Sequence, residues 1–151
     1  MNIKTKYGEN YMILAGLRQY IEKGTMLASV NYYRDSFQNF KEFEIIEKRA
    51  EILDIKPEFK SDDFVHSFIL EDFPDFDEEI SDDIISVALT LIENSEGKES
   101  AELTKEFLLF YAMRIAQASK EDYLAFIGIK DAVSDDEERF IEKVKSLFPV
   151  F

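Results

Sequence analysis

Apolar residues recur three and four positions apart along almost the whole chain, the spacing of one face of an α-helix. Leu14, Leu17 and Ile21, with Ile13 and Tyr20, open the pattern, and Gly24 reads as its C-terminal stop. A second stripe follows Thr25: Met26, Val30, Tyr33, Phe37, Phe40, Phe43, Ile46, Ala50 and Leu53, with Pro57 beyond its end. About thirty residues is long for one globular helix, which leaves room for a break between Arg34 and Glu42. Ser61, with Asp62 and Asp63 behind it, reads as the N-cap of a short helix. That helix turns Phe64, Phe68 and Ile69 inward and ends at Pro74.

Ser81, Asp82 and Asp83 open a further helix through Ile84, Ile85, Ala88, Leu89 and Ile92, stopping between Asn94 and Gly97. From Ser100 to Ala118 a wide apolar face carries Leu103, Phe107, Leu108, Tyr111 and Ile115. Ser119–Asp122 resembles a capping box for a short helix ending at Gly128. Ser134–Glu137 is a second such signal, and Phe140, Ile141, Val144, Leu147 and Phe148 form a last amphipathic segment. The expectation is an all-α fold, one domain over residues 1–151, with six to seven helices. Its aromatic-rich core should include Leu17, Phe37, Phe40, Phe68, Leu89, Phe107, Tyr111 and Val144.

Composition sharpens this picture. With 5 Gly and 3 Pro the chain lacks the turn chemistry of a β-sandwich. The 14 Phe and 7 Tyr, with no Trp, account for the aromatic core. The absence of Cys rules out disulfides, a thiol nucleophile and every Cys-based zinc site. The apolar run Tyr11–Leu17 is interrupted by Arg18 and followed by no small-residue cleavage site, so no signal peptide is expected. The uncharged runs are too short for a membrane span, and a cytoplasmic protein is the expectation.

The net charge of −14 is concentrated in one place. Residues 61–99 hold 13 acids and one Lys, a net of −12, while residues 1–60 are close to neutral. No Lys or Arg lies between Lys60 and Lys98. Within that block, residues 71–83 read EDFPDFDEEISDD, with 8 carboxylates. Asp82 and Asp83 fit a helix N-terminus, where negative charge is favoured by about 0.3–1 kcal/mol each. Glu71, Asp72, Asp75, Asp77, Glu78 and Glu79 surround Pro74, and helix-end chemistry covers them less well. A solvated acidic face is the plain reading of such a block. The other reading is a surface for something cationic.

Metal and catalytic chemistry fit poorly. An EF-hand loop started at Asp72 meets Pro74 at its third position and Asp77 where Gly is needed; one started at Asp75 meets Ile80 there. The only His, His66, cannot build a di-iron bundle site or a zinc site, and no Gly-x-Ser-x-Gly elbow supports a Ser–His–Asp triad. His66 reads as a structural or surface residue. Five scattered Gly form no phosphate cradle. No basic stripe suggests direct nucleic-acid binding. The expectation is therefore a binding protein, not an enzyme, with no cofactor and no bound metal.

A basic protein is the partner that such a block fits. Carboxylates steer a cationic partner during association. Phe73, Phe76 and Tyr123 are candidate apolar anchors. The expected contact residues are Asp72, Phe73, Asp75, Phe76, Asp77, Glu78 and Glu79. In length, charge, lack of Cys and this acidic, aromatic block, the chain resembles the small acidic helical immunity proteins of bacterial toxin–immunity systems, including those of contact-dependent inhibition. The resemblance implies an inhibitor of a nuclease-type toxin. It carries over no residue roles, because these proteins share no diagnostic motif. Two alternatives remain at this point: a nucleic-acid mimic that occupies a DNA- or RNA-binding site, and a helical metal protein or enzyme that works with carboxylates alone.

Overall fold

The computed structural model describes residues 2–32, 42–74, 79–127 and 135–151, with the side chains of 26–32, 42–44, 117–127 and 135–137 excepted. The described residues are all-α. The helices are α1 (Ile3–Tyr7), α2 (Tyr11–Tyr32), α3 (Glu42–Ile55), α4 (Pro57–Ser61), α5 (Asp63–Leu70), α6 (Asp83–Glu96), α7 (Lys98–Ile127) and α8 (Asp135–Ser146). A 3₁₀ turn, Gly8–Asn10, links α1 to α2. Two of these pieces, α1 and α4, are only five residues long.

Helix α2 lies at the centre. It packs against α6, α7 and α8, while α3 and α5 rest against α7 and α4 closes onto both α3 and α5. Leu14, Leu17 and Ile21 of α2, Phe68 of α5, Leu89 of α6, Phe107 and Tyr111 of α7 and Val144 of α8 are all fully buried in one cluster. Of the expected core, Leu17, Phe68, Leu89, Phe107, Tyr111 and Val144 hold, and Phe37 and Phe40 lie outside the described residues. Phe107 sits at the aromatic centre. Its ring meets Phe59 and Phe68 edge-on at 6.1 and 5.8 Å, and stacks on Tyr111 at 5.3 Å. Such pairs add about 0.5–1.5 kcal/mol each beyond the area they bury.

Several boundaries differ from the sequence reading. Helix α2 does not stop at Gly24 but runs on to Tyr32. A stopping glycine takes a positive φ, and among the described residues only Gly8 and Gly97 do. Gly24 serves packing instead: a Cβ there would overlap the ring of Phe140 on α8. The expected helices over 100–118 and 119–128 are one, α7, continuous to Ile127. Residues 119–127 contain neither Gly nor Pro, so the capping-box pattern there has no break to act on.

Ser61 is not the cap of α5. It is the last residue of α4, and Asp62 caps α5 by accepting from the Val65 N–H at 2.9 Å. Helix α5 ends at Leu70, ahead of Pro74. Gly97, at φ +100°, makes the turn between α6 and α7 where a stop was expected. The N-terminal turn α1 was not foreseen; Asn2 caps it, and Ile3 and Tyr7 are buried.

The face of α3 also differs. Ile45, Arg49, Ile52 and Leu53 are buried, whereas Ile46 and Ala50 are exposed. An arginine on the inward face shifts the buried stripe by one position from the purely apolar one. The side chain of Phe43 lies outside those described.

Candidate functional site

The acidic stretch leaves α5 at Glu71 and enters α6 at Asp83, and its described ends are both tied to α2. At the first end, the Tyr11 hydroxyl donates to the Asp72 carbonyl at 3.1 Å. The Phe73 ring is half-buried between Tyr11 (5.1 Å) and Phe68 (5.8 Å), with the Arg18 guanidinium 4.4 Å from its centroid. At the second end, the Asp82 carboxylate accepts from the Tyr20 hydroxyl and pairs with Lys143 of α8 at 3.2 Å. The Tyr20 hydrogen bond, then Lys143, hold the Asp82 carboxyl below the usual carboxylate range. Asp82 therefore does more than favour a helix N-terminus. It makes no side-chain capping bond and instead ties α2, α6 and α8 together.

The other acids of the middle third divide into two kinds. Asp62 caps α5 and accepts from the Ser100 hydroxyl at 3.0 Å. Glu96 pairs with Lys6 at 2.5 Å and accepts from the Tyr7 hydroxyl at 2.9 Å. Burial, then Glu96, push the Tyr7 phenol well above its usual range. By contrast, Asp72, Glu79 and Asp83 are exposed and make no ion pair among the described residues. Asp75, Phe76, Asp77 and Glu78 lie outside the described residues, as does the side chain of Tyr123. Of the expected contact residues, the structure thus places Asp72 and Glu79 on the surface and turns Phe73 inward.

Beneath the Asp72–Pro74 wall lies a feature the sequence reading missed. Arg18, Glu22 and Arg49 are buried, at 4%, 8% and 8% exposure. Arg18 Nη1 donates to the carbonyls of Phe68 and Ile69 at 2.9 and 3.1 Å, in the last turn of α5. Arg49 donates to Glu22 Oε2 through Nε at 2.9 Å and Nη2 at 2.7 Å. The Tyr111 hydroxyl donates to the same oxygen at 2.5 Å. Burial, then the neighbouring Arg49, bring the Arg18 guanidinium down to about 10. Burial, then Glu22, raise the Tyr111 phenol well above its usual value.

A signal for this cluster was present. Leu14, Arg18, Ile21 and Thr25 share one helical face, so Arg18 sits in line with core residues.

Two hollows share the Asp72–Pro74 wall. One is an open groove of about 520 Å³ against Lys4, Glu9, Tyr11 and Met12. The other is a cavity of about 140 Å³ against Arg18, Gln19, Glu22, Ile45 and Arg49. Among the described residues, no three His, Asp or Glu side chains converge as metal ligands, and no helix is long and apolar enough to cross a membrane. The chain matches no family model, no curated protein and no solved structure.

Proposed function

We propose that this chain is an acidic binding protein that neutralises a cationic protein partner, as an immunity-type inhibitor of a nuclease-type bacterial toxin would. The observation that supports the reading is the division among the acids of the middle third. Asp62, Asp82 and Glu96 are engaged inside the fold, whereas Asp72 and Glu79, at the two described ends of the acidic stretch, are exposed with no ion pair among the described residues. Carboxylates held at a surface without a cation of their own favour a partner that brings one. Phe73 acts as the inner anchor that fixes the stretch to α2, and the carboxylates of Asp72, Asp75, Asp77, Glu78 and Glu79 face the partner. No cofactor, metal or catalysis belongs to this reading.

The test is association kinetics with a basic protein partner, the product of an adjacent gene being the first to try, at two salt concentrations. The variant carries Asp72→Asn, Asp75→Asn, Asp77→Asn, Glu78→Gln and Glu79→Gln. Wild type should associate faster than the unsteered range of about 10⁵–10⁶ M⁻¹s⁻¹ and lose rate with salt. The variant should associate more slowly, with a flatter salt dependence. Equal rates for the two proteins at both salt concentrations would show that the stretch meets only water.

A further inference from the structure

We propose that the open groove against Lys4, Glu9, Tyr11 and Met12 receives an arginine side chain of the cationic partner. Its stem lies on the apolar part of the groove and its guanidinium meets the Glu9 and Asp72 carboxylates. The proposal rests on the cationic-partner reading above and names the group that this surface takes.

The groove joins the two kinds of surface such a side chain needs. One wall is the first described part of the acidic stretch, Asp72–Pro74, and the other is the 3₁₀ turn and the start of α2. Met12 is 41% exposed, Pro74 is exposed and Phe73 is half-buried, so apolar surface lies open beside the carboxylates. Glu9 and Asp72 are exposed and make no ion pair among the described residues. Burial, then the charges of Glu71 and Asp72, raise the Tyr11 phenol above its usual value, so the field of the stretch reaches the groove.

The chain already sets a cation of its own here. Lys4 Nζ stands 5.9 Å from the Tyr11 ring centroid, at the outer edge of the cation–π range of about 6 Å. Lys4 is exposed, makes no ion pair among the described residues and sits on the five-residue helix α1, so an incoming cation can displace it. Arg18 lines the inner cavity and not this groove. A guanidinium is planar, weakly hydrated and takes carboxylate oxygens two at a time, which suits an aromatic and acidic groove better than an ammonium does. The volume of about 520 Å³ falls within the range of about 300–1,000 Å³ in which ligands are seated. A second copy of the chain, at net charge −14, would bring like charge to the same rim.

The test needs no partner. The intact chain is titrated with Nα-acetyl-argininamide, and separately with the lysine and norleucine compounds, at an ionic strength held constant with sodium chloride. The Met12 methyl and Tyr11 ring NMR signals are read. The expected result is a saturable shift of both with the arginine compound, weaker with lysine and weakest with norleucine. Glu9→Gln should weaken binding about two- to fivefold, the size of one exposed charge pair, and Lys4→Gln should tighten it by a similar factor. Shifts that follow ionic strength alone, or that leave Met12 and Tyr11 unmoved, overturn the proposal. Lysine or norleucine binding as tightly as arginine overturns it too, as does a response unchanged in both variants. Such a failure leaves the acidic-stretch reading standing, because that is judged by the association kinetics.

Discussion

Helices α3 and α6 are each 14 residues long and both turn one side inward, yet they are buried by different chemistry. The buried residues of α6 are Ile85, Ala88, Leu89 and Ile92, all apolar. Those of α3 are Ile45, Ile52, Leu53 and an arginine, Arg49, which reaches Glu22 of α2 and through it Tyr111 of α7. An apolar face packs against any apolar neighbour of matching shape. The Arg49 face fits only where a carboxylate waits at hydrogen-bonding distance. The first interface supplies most of the stabilisation per residue, and the second makes the arrangement of α2, α3 and α7 specific. A buried ion pair is a weak source of net stability, because desolvation offsets most of its attraction.

This contrast is open to direct attack. Glu22→Ala leaves Arg49 buried without its carboxylate and should cost about 3–5 kcal/mol in urea unfolding. Replacing the set together, Glu22→Leu with Arg49→Met and Tyr111→Phe, should recover most of that loss, because Arg18 keeps the Phe68 and Ile69 carbonyls and the repulsion from Arg49 goes with the lost carboxylate. A triple variant as weak as Glu22→Ala would mean that the cluster stabilises the fold outright. On the apolar side, Phe107→Ala should cost about 3–5 kcal/mol with no polar rescue available. Ordinary stability there would remove Phe107 from the centre of the core.

A smaller effect tests the close approach of α2 and α8. Gly24→Ala gains about 1 kcal/mol of helix propensity but forces the Phe140 ring aside, at about 1–3 kcal/mol. The net should be a loss of about 1 kcal/mol. In a Phe140→Ala background the same change should be stabilising. A Gly24→Ala variant that gains stability with Phe140 intact would show that the ring yields freely.

The smallest effect belongs to Asp82. Its carboxyl is held low by Tyr20 and Lys143, so its contribution is present above the unfolded value of about 3.9 and is lost as pH falls through the lower folded value. The side chain is half exposed, which limits the contribution to under about 1 kcal/mol. Stability curves of wild type and Asp82→Asn should therefore run parallel above about pH 5 and converge in acid. Curves that stay parallel down to pH 2 would mean that the carboxylate charge contributes nothing.

Much of the candidate site was legible as chemistry and little of it as geometry. The acidic stretch is plain in the sequence, because like charges adjacent in the chain stay adjacent in space. Which of its acids are engaged is not, since Asp82 meets Tyr20 and Lys143, 62 and 61 positions away in the chain. Phe73 read as an outward anchor because it stands among carboxylates; its burial depends on Tyr11 and Phe68, which the periodicity of its own segment does not register.

The sequence by itself determined the all-α class, the inward faces of α2, α5, α6 and α8 and the core around Phe107. Those follow from apolar periodicity, and the water-to-core transfer that drives it is a property of each residue taken alone. Only the tertiary structure decided that α2 continues past Gly24, that α7 continues past Ser119, that α3 buries Arg49, and that two arginines flank one glutamate beneath the acidic stretch. Each of these is a pairing between distant residues. A buried charge is tolerated, or a glycine is required, only by virtue of what a different helix places beside it.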